Sequence, residues 1–558
     1  MTGTASRRLL DALLLVAAAC GGGREAAPPA TPRRAGPVWF VERIAGSGVD
    51  FIHDAGASAE LLLPEIMGSG VCLLDYDRDG RLDLYFVQSG SYRAAPSPRG
   101  ADRLYRNLGG LRFADVTADS RTGDQGYGMG CAVGDVDADG WPDLYVTNVG
   151  ANALYRNRGG IFERSPAGVE EVGWGTSALF FDYDLDDRLD LAVTNYLEWA
   201  PERELECYQG GRRDYCLPGN YRAPAVALLY RNLGQGRFAE VGRRLGLTAA
   251  FGPGLGLAAA DLLGDPRPEL YVANDGTANQ LWVQTEHGFE DQAVPLGAAV
   301  NRLGAAEASM GVAAADPDGD GDLDLFLTHL DTETNTFYRN GGELFSDATA
   351  ELGLAAPSRG RTGFGVGFAD FDHDGWLDVY VANGRVSLAA EPLAADPYAE
   401  ANQLLAGLPS GRFAEVPDGA TAEAEIATSR GAAFGDLDND GDVDIVVSNR
   451  NGRPHLLENV RGGDGTWVMF RLLDGARDAL GARLGLEAGG RSWWRWTGVA
   501  SSYCSANDPR VHIGLGAAAS VDRVRVTWPG GAQEVFGPFP VGAVHELRRG
   551  SGRVESRG

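Results

Sequence analysis

The amino-acid sequence predicts an all-β protein, namely a seven-bladed β-propeller with a small C-terminal β-domain. A nonapeptide of the form Asp-x-Asp-x-Asp-Gly-x-x-Asp recurs along the chain, and short apolar runs with an alternating pattern flank each copy. Such runs are typical of strands joined by a hairpin, and a repeat of this length is typical of stacked structural units. Successive copies start 47 to 79 residues apart, which is enough for the four strands of a propeller blade.

Composition and charge restrict the function. The 558 residues include 49 Lys and Arg, all of them arginine, against 77 acidic residues, which gives a formal net charge of −28. This acidity argues against nucleic acid as a partner, because phosphate contacts need a basic surface. It fits calcium or a cationic partner better. A chain without lysine also excludes a P-loop and lysine-based covalent catalysis.

The N-terminus has the pattern of an export signal. Residues 1–20 combine two early arginines with a short apolar run, and three alanines precede Cys20 as in a bacterial lipobox. We expect residues 1–20 to be a lipoprotein-type signal peptide with Cys20 lipidated; ordinary cleavage and an unprocessed tail are the alternatives. Residues 21–37 predict a flexible linker. The expected location is the outer membrane or cell surface, or the periplasm or medium, with membrane contact only through the lipid anchor.

Export would place the remaining cysteines in an oxidising compartment. Cys207 and Cys216 flank a Gly-rich excursion and are the expected disulfide. Cys72 and Cys131 each lie in an apolar run before an acidic loop, where the simplest interpretation is a small buried residue. Their pairing, and that of Cys504, stays open.

Six complete nonapeptides are candidate metal-binding loops. Alternate carboxylates of a tight loop point inward, the glycine permits a left-handed turn, and the seventh residue offers its backbone carbonyl. An all-oxygen cage suits a hard divalent cation, and its multiplicity favours Ca²⁺ over Mg²⁺, with turn chemistry alone as the alternative. The predicted ligands of about six Ca²⁺ sites are Asp75, Asp77, Asp79, Arg81, Asp83; Asp135, Asp137, Asp139, Trp141, Asp143; Asp182, Asp184, Asp186, Arg188, Asp190; Asp316, Asp318, Asp320, Asp322, Asp324; Asp370, Asp372, Asp374, Trp376, Asp378; and Asp436, Asp438, Asp440, Asp442, Asp444. A degenerate copy at 261–269 contains Leu263 and Pro266, and we expect it to bind weakly or not at all.

A second marker predicts how the ring closes. An LYRN-like strand follows each of the seven loops, but a Phe with a nearby acid follows only six of them. The missing copy stands at the N-terminus as Phe40-Val41-Glu42. We therefore predict that residues 38–460 form the propeller and that the N-terminal strand pairs near residues 455–460, which leaves no free edge.

The loops resemble the FG-GAP/VCBS repeats of integrin α-chain propellers. Residues 511–516 (VHIGLG) and 526–531 (VTWPGG) resemble the signature of the ASPIC and UnbV domain, and the excursion at 207–221 strengthens a similarity to the cartilage acidic protein family. The resemblance covers about residues 38 to 548. It implies a calcium-binding propeller with an ASPIC/UnbV-like C-terminal β-domain at 461–558, in a bacterial secreted or cell-envelope protein, and it carries over no catalytic residues.

The remaining motifs favour binding over catalysis. The seven histidines show no zinc-protease spacing, and the sequence contains no Gly-x-Ser-x-Gly elbow. We predict a non-enzymatic, calcium-binding propeller that binds a protein or a glycan. The alternatives are a lyase or hydrolase acting on extracellular polysaccharide at the propeller mouth, and an assembly factor for a membrane complex. The strand around Trp493, Trp494 and Trp496 either packs against the propeller or offers a stacking platform.

Overall fold

Residues 37–92, 100–462, 465–498 and 502–554 are described by the structure, a computed structural model. The predicted signal peptide, Cys20 and almost all of the predicted linker lie outside the described residues. Within the described ranges, no helix has both the length and the apolar character needed to cross a membrane. The helices are short connections: α1 (Pro64–Met67), α2 (Thr117–Ser120), α3 (Gly242–Leu245), α4 (Ala293–Leu296), α5 (Thr349–Leu352) and α6 (Ala355–Ser358), with 3₁₀ turns at Pro201–Arg203, Pro218–Asn220, Leu247–Ala249 and Pro417–Ala420.

The propeller strands pair antiparallel in seven four-stranded units, and units 2 and 3 are joined into one eight-stranded sheet by pairing between residues 172–174 and 149–151. Strand β1 (Phe40–Glu42) belongs to unit 7, and the other strands follow in chain order. Unit 1 is β2 (Val71–Leu74), β3 (Asp83–Phe86), β4 (Arg103–Asn107) and β5 (Phe113–Asp115); unit 2 is β6 (Gly128–Gly134), β7 (Asp143–Ala151), β8 (Ala153–Asn157) and β9 (Phe162–Ser165). Unit 3 is β10 (Val172–Phe181), β11 (Asp190–Asn195), β14 (Leu228–Asn232) and β15 (Phe238–Glu240), with the hairpin β12 (Cys207–Gln209) and β13 (Arg212–Asp214) inserted. The prediction of an all-β propeller is confirmed.

The later units repeat the same order. Unit 4 is β16 (Gly254–Ala260), β17 (Glu269–Asn274), β18 (Gln280–Thr285) and β19 (Gly288–Asp291); unit 5 is β20 (Val312–Ala315), β21 (Asp324–Leu327), β22 (Thr336–Asn340) and β23 (Phe345–Asp347). Unit 6 is β24 (Gly363–Ala369), β25 (Asp378–Asn383), β27 (Gln403–Gly407) and β28 (Phe413–Val416), and the short β26 (Glu400–Ala401) pairs with β29 (Ile426–Ala427). Unit 7 is β30 (Ser429–Gly435), β31 (Asp444–Asn449), β32 (His455–Asn459) and β1.

The first strands of the units line the centre of a closed ring. Each contacts the first strand of the next unit, and β30 of unit 7 contacts β2 of unit 1. Glycines permit this close approach, since a Cβ at Gly365 would lie 2.6 Å from backbone atoms of the neighbouring strand, and one at Gly256 would lie 2.6 Å from Met310 O. The closing strand pairs as the sequence predicts, with Phe40 opposite Asn459 and Glu42 opposite Leu457.

Asparagines at the ends of third strands tie neighbouring units together. Asn107 Nδ2 donates to Leu437 O at 2.7 Å and so joins unit 1 to unit 7. Each bond of this kind reaches the second residue of the acidic loop in the preceding unit. The equivalent bonds are Asn157 to Tyr76, Asn232 to Val136, Gln284 to Tyr183, Asn340 to Leu262 and Asn459 to Phe371. Unit 6 has Gly407 at this position and therefore has no such side chain.

The C-terminal domain contains two larger sheets and one two-stranded sheet, with an apolar core that includes Phe470, Leu484 and Trp528. Its strands are β33 (Thr466–Asp474), β34 (Arg477–Asp478), β35 (Arg483–Ala488), β36 (Arg491–Trp496), β37 (Val511–Gly516), β38 (Ser520–Val521), β39 (Arg523–Thr527), β40 (Gln533–Phe536), β41 (Phe539–Pro540), β42 (Val544–Arg548) and β43 (Arg553–Val554). One sheet has the order β34-β33-β37 with β42 parallel to β33, the other has the order β36-β35-β39-β40-β43, and β38 pairs with β41.

Residues 502–508 of this domain, which we name the plug segment, enter the centre of the ring. Ser502 N donates to Val312 O at 2.8 Å, and Ser502 Oγ donates to Ala432 O at 2.6 Å. On the other side of the ring, Ala506 N donates to Val71 O at 3.2 Å. The plug segment therefore crosses the propeller channel as hydrogen-bonded backbone.

Candidate metal centres

Each complete acidic loop joins the first and second strands of one unit, and all fold alike except that the loop at 316–324 has Pro317 as its second residue, which has no N–H to donate to Asp324. In the loop at 75–83, Asp75 accepts the backbone N–H groups of the fifth and sixth loop residues at 3.0 and 3.1 Å. Asp83 accepts the N–H of the second loop residue at 3.0 Å and that of Asn107 at 2.7 Å. Equivalent bonds recur in other loops, so the backbone itself orients the carboxylates.

The carboxylates converge closely enough to share an ion. In each of four loops, three ligand oxygens lie within 4.8 Å of one another, and the groups are Asp75, Asp77, Asp83; Asp135, Asp137, Asp143; Asp182, Asp184, Asp190; and Asp316, Asp318, Asp320. A buried oxygen of the third loop residue lacks a hydrogen-bond partner in several loops, namely Oδ1 of Asp77, Asp137, Asp184 and Asp438. Buried polar atoms are normally satisfied, so these orphaned oxygens in an all-oxygen cluster fit a hard cation such as Ca²⁺.

Two residues of each loop adopt the left-handed conformation, whereas the sequence indicated only one. The sixth residue does so as expected, with φ of 82° at Gly80, and Asp187 adopts it without being glycine, with φ of 60°. The fourth residue is also left-handed, with φ of 59° at both Arg78 and His373. Sequence reasoning missed this position because its residue type varies. The hydrogen bonds to the first aspartate hold it there.

Burial perturbs the last carboxyl of each loop. Desolvation raises the pKa of Asp83 and Asp190 to about 8, that of Asp143 to about 7 and that of Asp324 to about 9. The like charges of the other loop aspartates raise it further. Holding these carboxyls ionised therefore requires positive charge nearby, and a divalent cation in the cage would supply it.

Arginines on third strands divide the loops into two classes. In four loops, an arginine pairs with the third loop residue: Arg106 with Asp77 at 2.6 Å, Arg231 with Asp184 at 2.7 Å, Arg339 with Asp318 at 3.6 Å, and Arg156 with Asp137. The loops at 370–378 and 436–444 have Ala406 and Glu458 at the equivalent strand positions. These two loops therefore keep more negative charge for an ion.

The degenerate loop at 261–269 folds like the others but offers fewer carboxylates. Glu269 takes the place of the last aspartate and accepts the N–H of Leu262 at 2.8 Å. Leu263 replaces the third residue, and Val283 stands where four of the other units have arginine. Desolvation raises the pKa of Asp261 to about 6 and that of Glu269 to about 8.

The C-terminal domain covers the face of the propeller that carries the acidic loops, here named the loop face. Its arginines contact the loops mainly through backbone carbonyls. Arg483 donates to Gly321 O at 2.6 Å, Arg491 to Gly375 O at 3.3 Å and Arg510 to Asp436 O at 2.9 Å, while Arg549 pairs with Asp187 at 3.1 Å. Charge complementarity thus accompanies the docking of this domain.

The tryptophan strand β36 takes part in this contact, which confirms the packing interpretation. Trp493 Nε1 donates to Gly375 O at 3.0 Å. The guanidinium of Arg483 lies 4.2 Å from the ring centre of Trp494, and that of Arg491 lies 4.9 Å from that of Trp493. The arginines thus cover the aromatic rings.

A cavity of about 300 Å³ occupies the loop end of the propeller channel, beneath the C-terminal domain, and first-strand residues of six units line its propeller side. Its C-terminal-domain side is lined by Arg471, Trp494, Arg495, Arg510 and His512. Arg471 pairs with Asp478 at 2.7 Å and Arg510 pairs with Asp508 at 2.8 Å, so carboxylates of the same domain neutralise these two arginines. Burial and neighbouring positive charge lower the pKa of His512 well below its usual value.

The structure contains two disulfides in its described part. Cys207 and Cys216 are bonded, as are Cys72 and Cys131, while Cys504 in the plug segment is free and buried. Cys72 and Cys131 lie on the first strands of units 1 and 2, which are adjacent. The interpretation of Cys72 and Cys131 as merely small buried residues is therefore wrong, because the two adjacent units bring them together as a disulfide.

Comparison with known families agrees with this architecture. The ASPIC and UnbV family matches residues 473–554, and the FG-GAP-like repeat family matches residues 75–146, 135–193, 261–327 and 316–381. No curated protein sequence matches the chain. The chain thus contains an ASPIC and UnbV domain at its C-terminal end and FG-GAP-like repeats in its propeller.

Solved structures resemble the chain only at the level of the fold. They include an Agrocybe aegerita lectin that recognises non-reducing terminal N-acetylglucosamine (12% identity, TM-score 0.36, covering 71% of this chain and 95% of that chain). The rhamnogalacturonan lyase YesW shares 14% identity at a TM-score of 0.37 and covers 71% and 72%. BBS1N, in complex with ARL6DN, shares 7% identity at a TM-score of 0.37 and covers 76% and 97%. Similarity this low carries no argument about function.

Proposed function

We propose that this protein is a calcium-binding, non-enzymatic β-propeller of the cell envelope or extracellular space that binds a protein or glycan partner. The observation that carries the calcium assignment is the orphaned, buried carboxylate oxygen within the acidic clusters. These clusters offer oxygen donors only, which suits Ca²⁺. FG-GAP-like repeats are typical of extracellular or envelope proteins, which supports the location.

The ions would act as structural elements of each unit. A loop joins two adjacent strands, so an ion bound to its first and last aspartates would link the ends of both strands. The loops at 370–378 and 436–444 lack the third-strand arginine, and ligand charge tunes calcium affinity. We therefore expect these two loops to take up calcium at lower concentrations than the four loops with an arginine.

Calorimetry of the chelator-stripped chain tests the calcium assignment. We expect two tight sites followed by weaker ones, and a melting temperature that rises when calcium is added. Asp438→Asn should remove one tight site, because it deletes an orphaned ligand oxygen. Asp265→Asn, in the degenerate loop, is the matched control and should leave the tight sites unchanged. Identical melting temperatures with chelator and with excess calcium would contradict the assignment.

The partner-binding surface is proposed to lie on the face opposite the loop face. The C-terminal domain covers the loop face and the plug segment crosses the channel, whereas the opposite face exposes Tyr208 and Phe251 by 61% and 64%. Nearby, Tyr92 packs edge-on against Trp199 at 5.3 Å. Exposed aromatic side chains are suited to stacking on sugar rings or to anchoring a protein partner.

A glycan array and partner-binding assays with the exported form test this surface. We expect Tyr208→Ser and Phe251→Ser to weaken binding of whatever ligand is found. Leu344→Ser is the control, because Leu344 is 56% exposed but lies in the β22–β23 turn near the loop face. Equal loss in all three variants would place binding elsewhere.

The interdomain cavity bears on the alternative of an extracellular polysaccharide-acting enzyme. It brings arginines and His512 together, as that alternative requires. Its volume of about 300 Å³ is at the lower end for small-molecule pockets, and it lies beneath the C-terminal domain. These features favour the binding function over a site that must admit a polymer.

A further inference from the structure

A histidine and two glutamates meet at the seam where the N-terminal strand closes the ring. Glu42 lies in β1, His455 begins β32, and Glu425 directly precedes β29. One ligand atom from each lies within 4.8 Å of the others. His455 Nδ1 is 2.8 Å from Glu42 Oε2 and 3.2 Å from Glu425 Oε2. This cluster is separate from all the acidic loops.

Hydrogen bonding within the protein leaves this cluster incompletely satisfied. An imidazole Nδ1 carries at most one hydrogen and cannot fully serve two carboxylates at once. Glu42 uses its other oxygen to accept the N–H groups of Ile44 and Leu456 at 2.8 and 3.1 Å. Oε2 of Glu42 and Oε2 of Glu425 therefore both lie next to Nδ1 of His455, which can donate a hydrogen to only one of them.

Two further buried polar groups border the cluster and lie next to each other. They are the hydroxyl of Tyr380, which is 1% exposed, and Nδ2 of Asn402, which is 4% exposed. The backbone N–H of Asn402 donates to Glu425 O at 3.3 Å, and the charges of Glu42 and Glu425 act on the Tyr380 hydroxyl. Within the cluster itself, Nε2 of His455 is buried and has no hydrogen-bond partner, which is rare in folded proteins.

We propose that Glu42, Glu425 and His455 hold one divalent transition-metal ion of the zinc class, with water completing its coordination. An imidazole nitrogen with carboxylate oxygens is a donor set typical of zinc, and it differs from the oxygen-only loops. Ligands about 2.0–2.1 Å from a tetrahedral ion lie about 3.3 Å apart. The observed separations of 2.8 and 3.2 Å are close to this value. The side chains are 15% to 26% exposed, so an ion can enter from solvent.

In other units, the position equivalent to His455 holds a different residue. Unit 1 has an ordinary ion pair between Arg103 and Asp115. In unit 5, Thr336 takes the place of the histidine and donates to Glu307 at 2.7 Å. At the seam, His455 supplies a nitrogen ligand instead. The ion would join β1, β32 and the segment before β29, which are the pieces that must be held together to close the ring.

Zinc titration of the full chain in saturating calcium tests the proposal, because calcium occupies the acidic loops. We expect one Zn²⁺ per chain, and a Co²⁺ substitute should give tetrahedral visible absorption that Zn²⁺ abolishes. His455→Gln should weaken Zn²⁺ binding at least about tenfold, since even outer-shell changes cost that much. His287→Gln, at an exposed histidine, is the matched control and should bind as the parent does.

X-ray absorption of the zinc-loaded parent chain gives a readout that needs no variant. One nitrogen ligand among oxygens is expected. A zinc shell of oxygen alone, no zinc uptake, or unchanged affinity in a folded His455→Gln variant would overturn the proposal. If that variant does not fold, Glu425→Gln replaces it, because Glu425 lies at the partly exposed edge of the cluster.

Discussion

Truncation of Phe40 tests how the ring is closed. The Phe40 side chain is 1% exposed and packs edge-on against Phe371 at 5.2 Å and Tyr380 at 6.3 Å. Replacing a buried phenylalanine by alanine costs about 3–5 kcal/mol, because apolar contacts are lost and a cavity remains. The three-residue β1 has no other large side chain in the core, so we expect Phe40→Ala to lower the free energy of unfolding by about 4 kcal/mol.

Denaturant unfolding followed by tryptophan fluorescence measures this loss, and hydrogen exchange of the β32 amides locates it. Phe251→Ala is the matched control, because Phe251 is 64% exposed and its truncation should change stability by no more than about 0.5 kcal/mol. If Phe40→Ala behaves like Phe251→Ala and the β32 amides stay protected, β1 does not close the ring in solution.

Two further predictions concern pH and the disulfides. Burial, then the charge of Arg450, lowers the pKa of His53 from 6.5 to about 3, although Asp54 opposes this. The free energy of unfolding should therefore be highest above pH 6.5 and should fall by up to about 5 kcal/mol as the pH approaches 3, because the unfolded chain then binds a proton that buried His53 does not. His53→Asn should make the melting temperature depend less on pH between 6.5 and 3. Parallel melting-temperature profiles for parent and variant would contradict this prediction. Replacing Cys72 and Cys131 by alanine should cost about 4 kcal/mol, against about 3 kcal/mol for Cys207 and Cys216, because the longer closed loop restricts the unfolded chain more. Chemical denaturation compares the two double variants, and a larger loss for the shorter loop would contradict the prediction.

The repeat and its closing strand could be predicted from the sequence because every loop needs the same residue types at the same positions. Asp75, Asp83 and their equivalents accept hydrogen bonds from backbone N–H groups at set positions of the loop, so the number of residues between the two aspartates stays the same from loop to loop. The Phe40 motif could be assigned to unit 7 because one copy was missing from the series. In both cases the information is local and repeated.

Features made by single, distant contacts could not be predicted in this way. The plug segment at 502–508 is held by backbone groups of strands far away in sequence, such as Val71 and Val312, and carries no repeat of its own. The hydrogen bond by which Asn107 links unit 1 to unit 7 could not be predicted for a related reason, because its acceptor, Leu437 O, lies in another unit. The bond between Cys72 and Cys131 likewise depends on which strands become neighbours.

The docking of the C-terminal domain is compatible with ion binding in the loops beneath it. Arg483, Arg491 and Arg510 bond to loop carbonyls, which leaves the loop carboxylates available for a cation. The acidic residue that Arg549 does engage, Asp187, is at the glycine position and is not a predicted ligand. The arginines therefore bond to backbone carbonyls on the outside of the loops, while an ion would bind the carboxylates on the inside. Since the domain also covers the loops, chelators should remove calcium slowly from the intact protein, and the rate of removal should follow the opening of this interface.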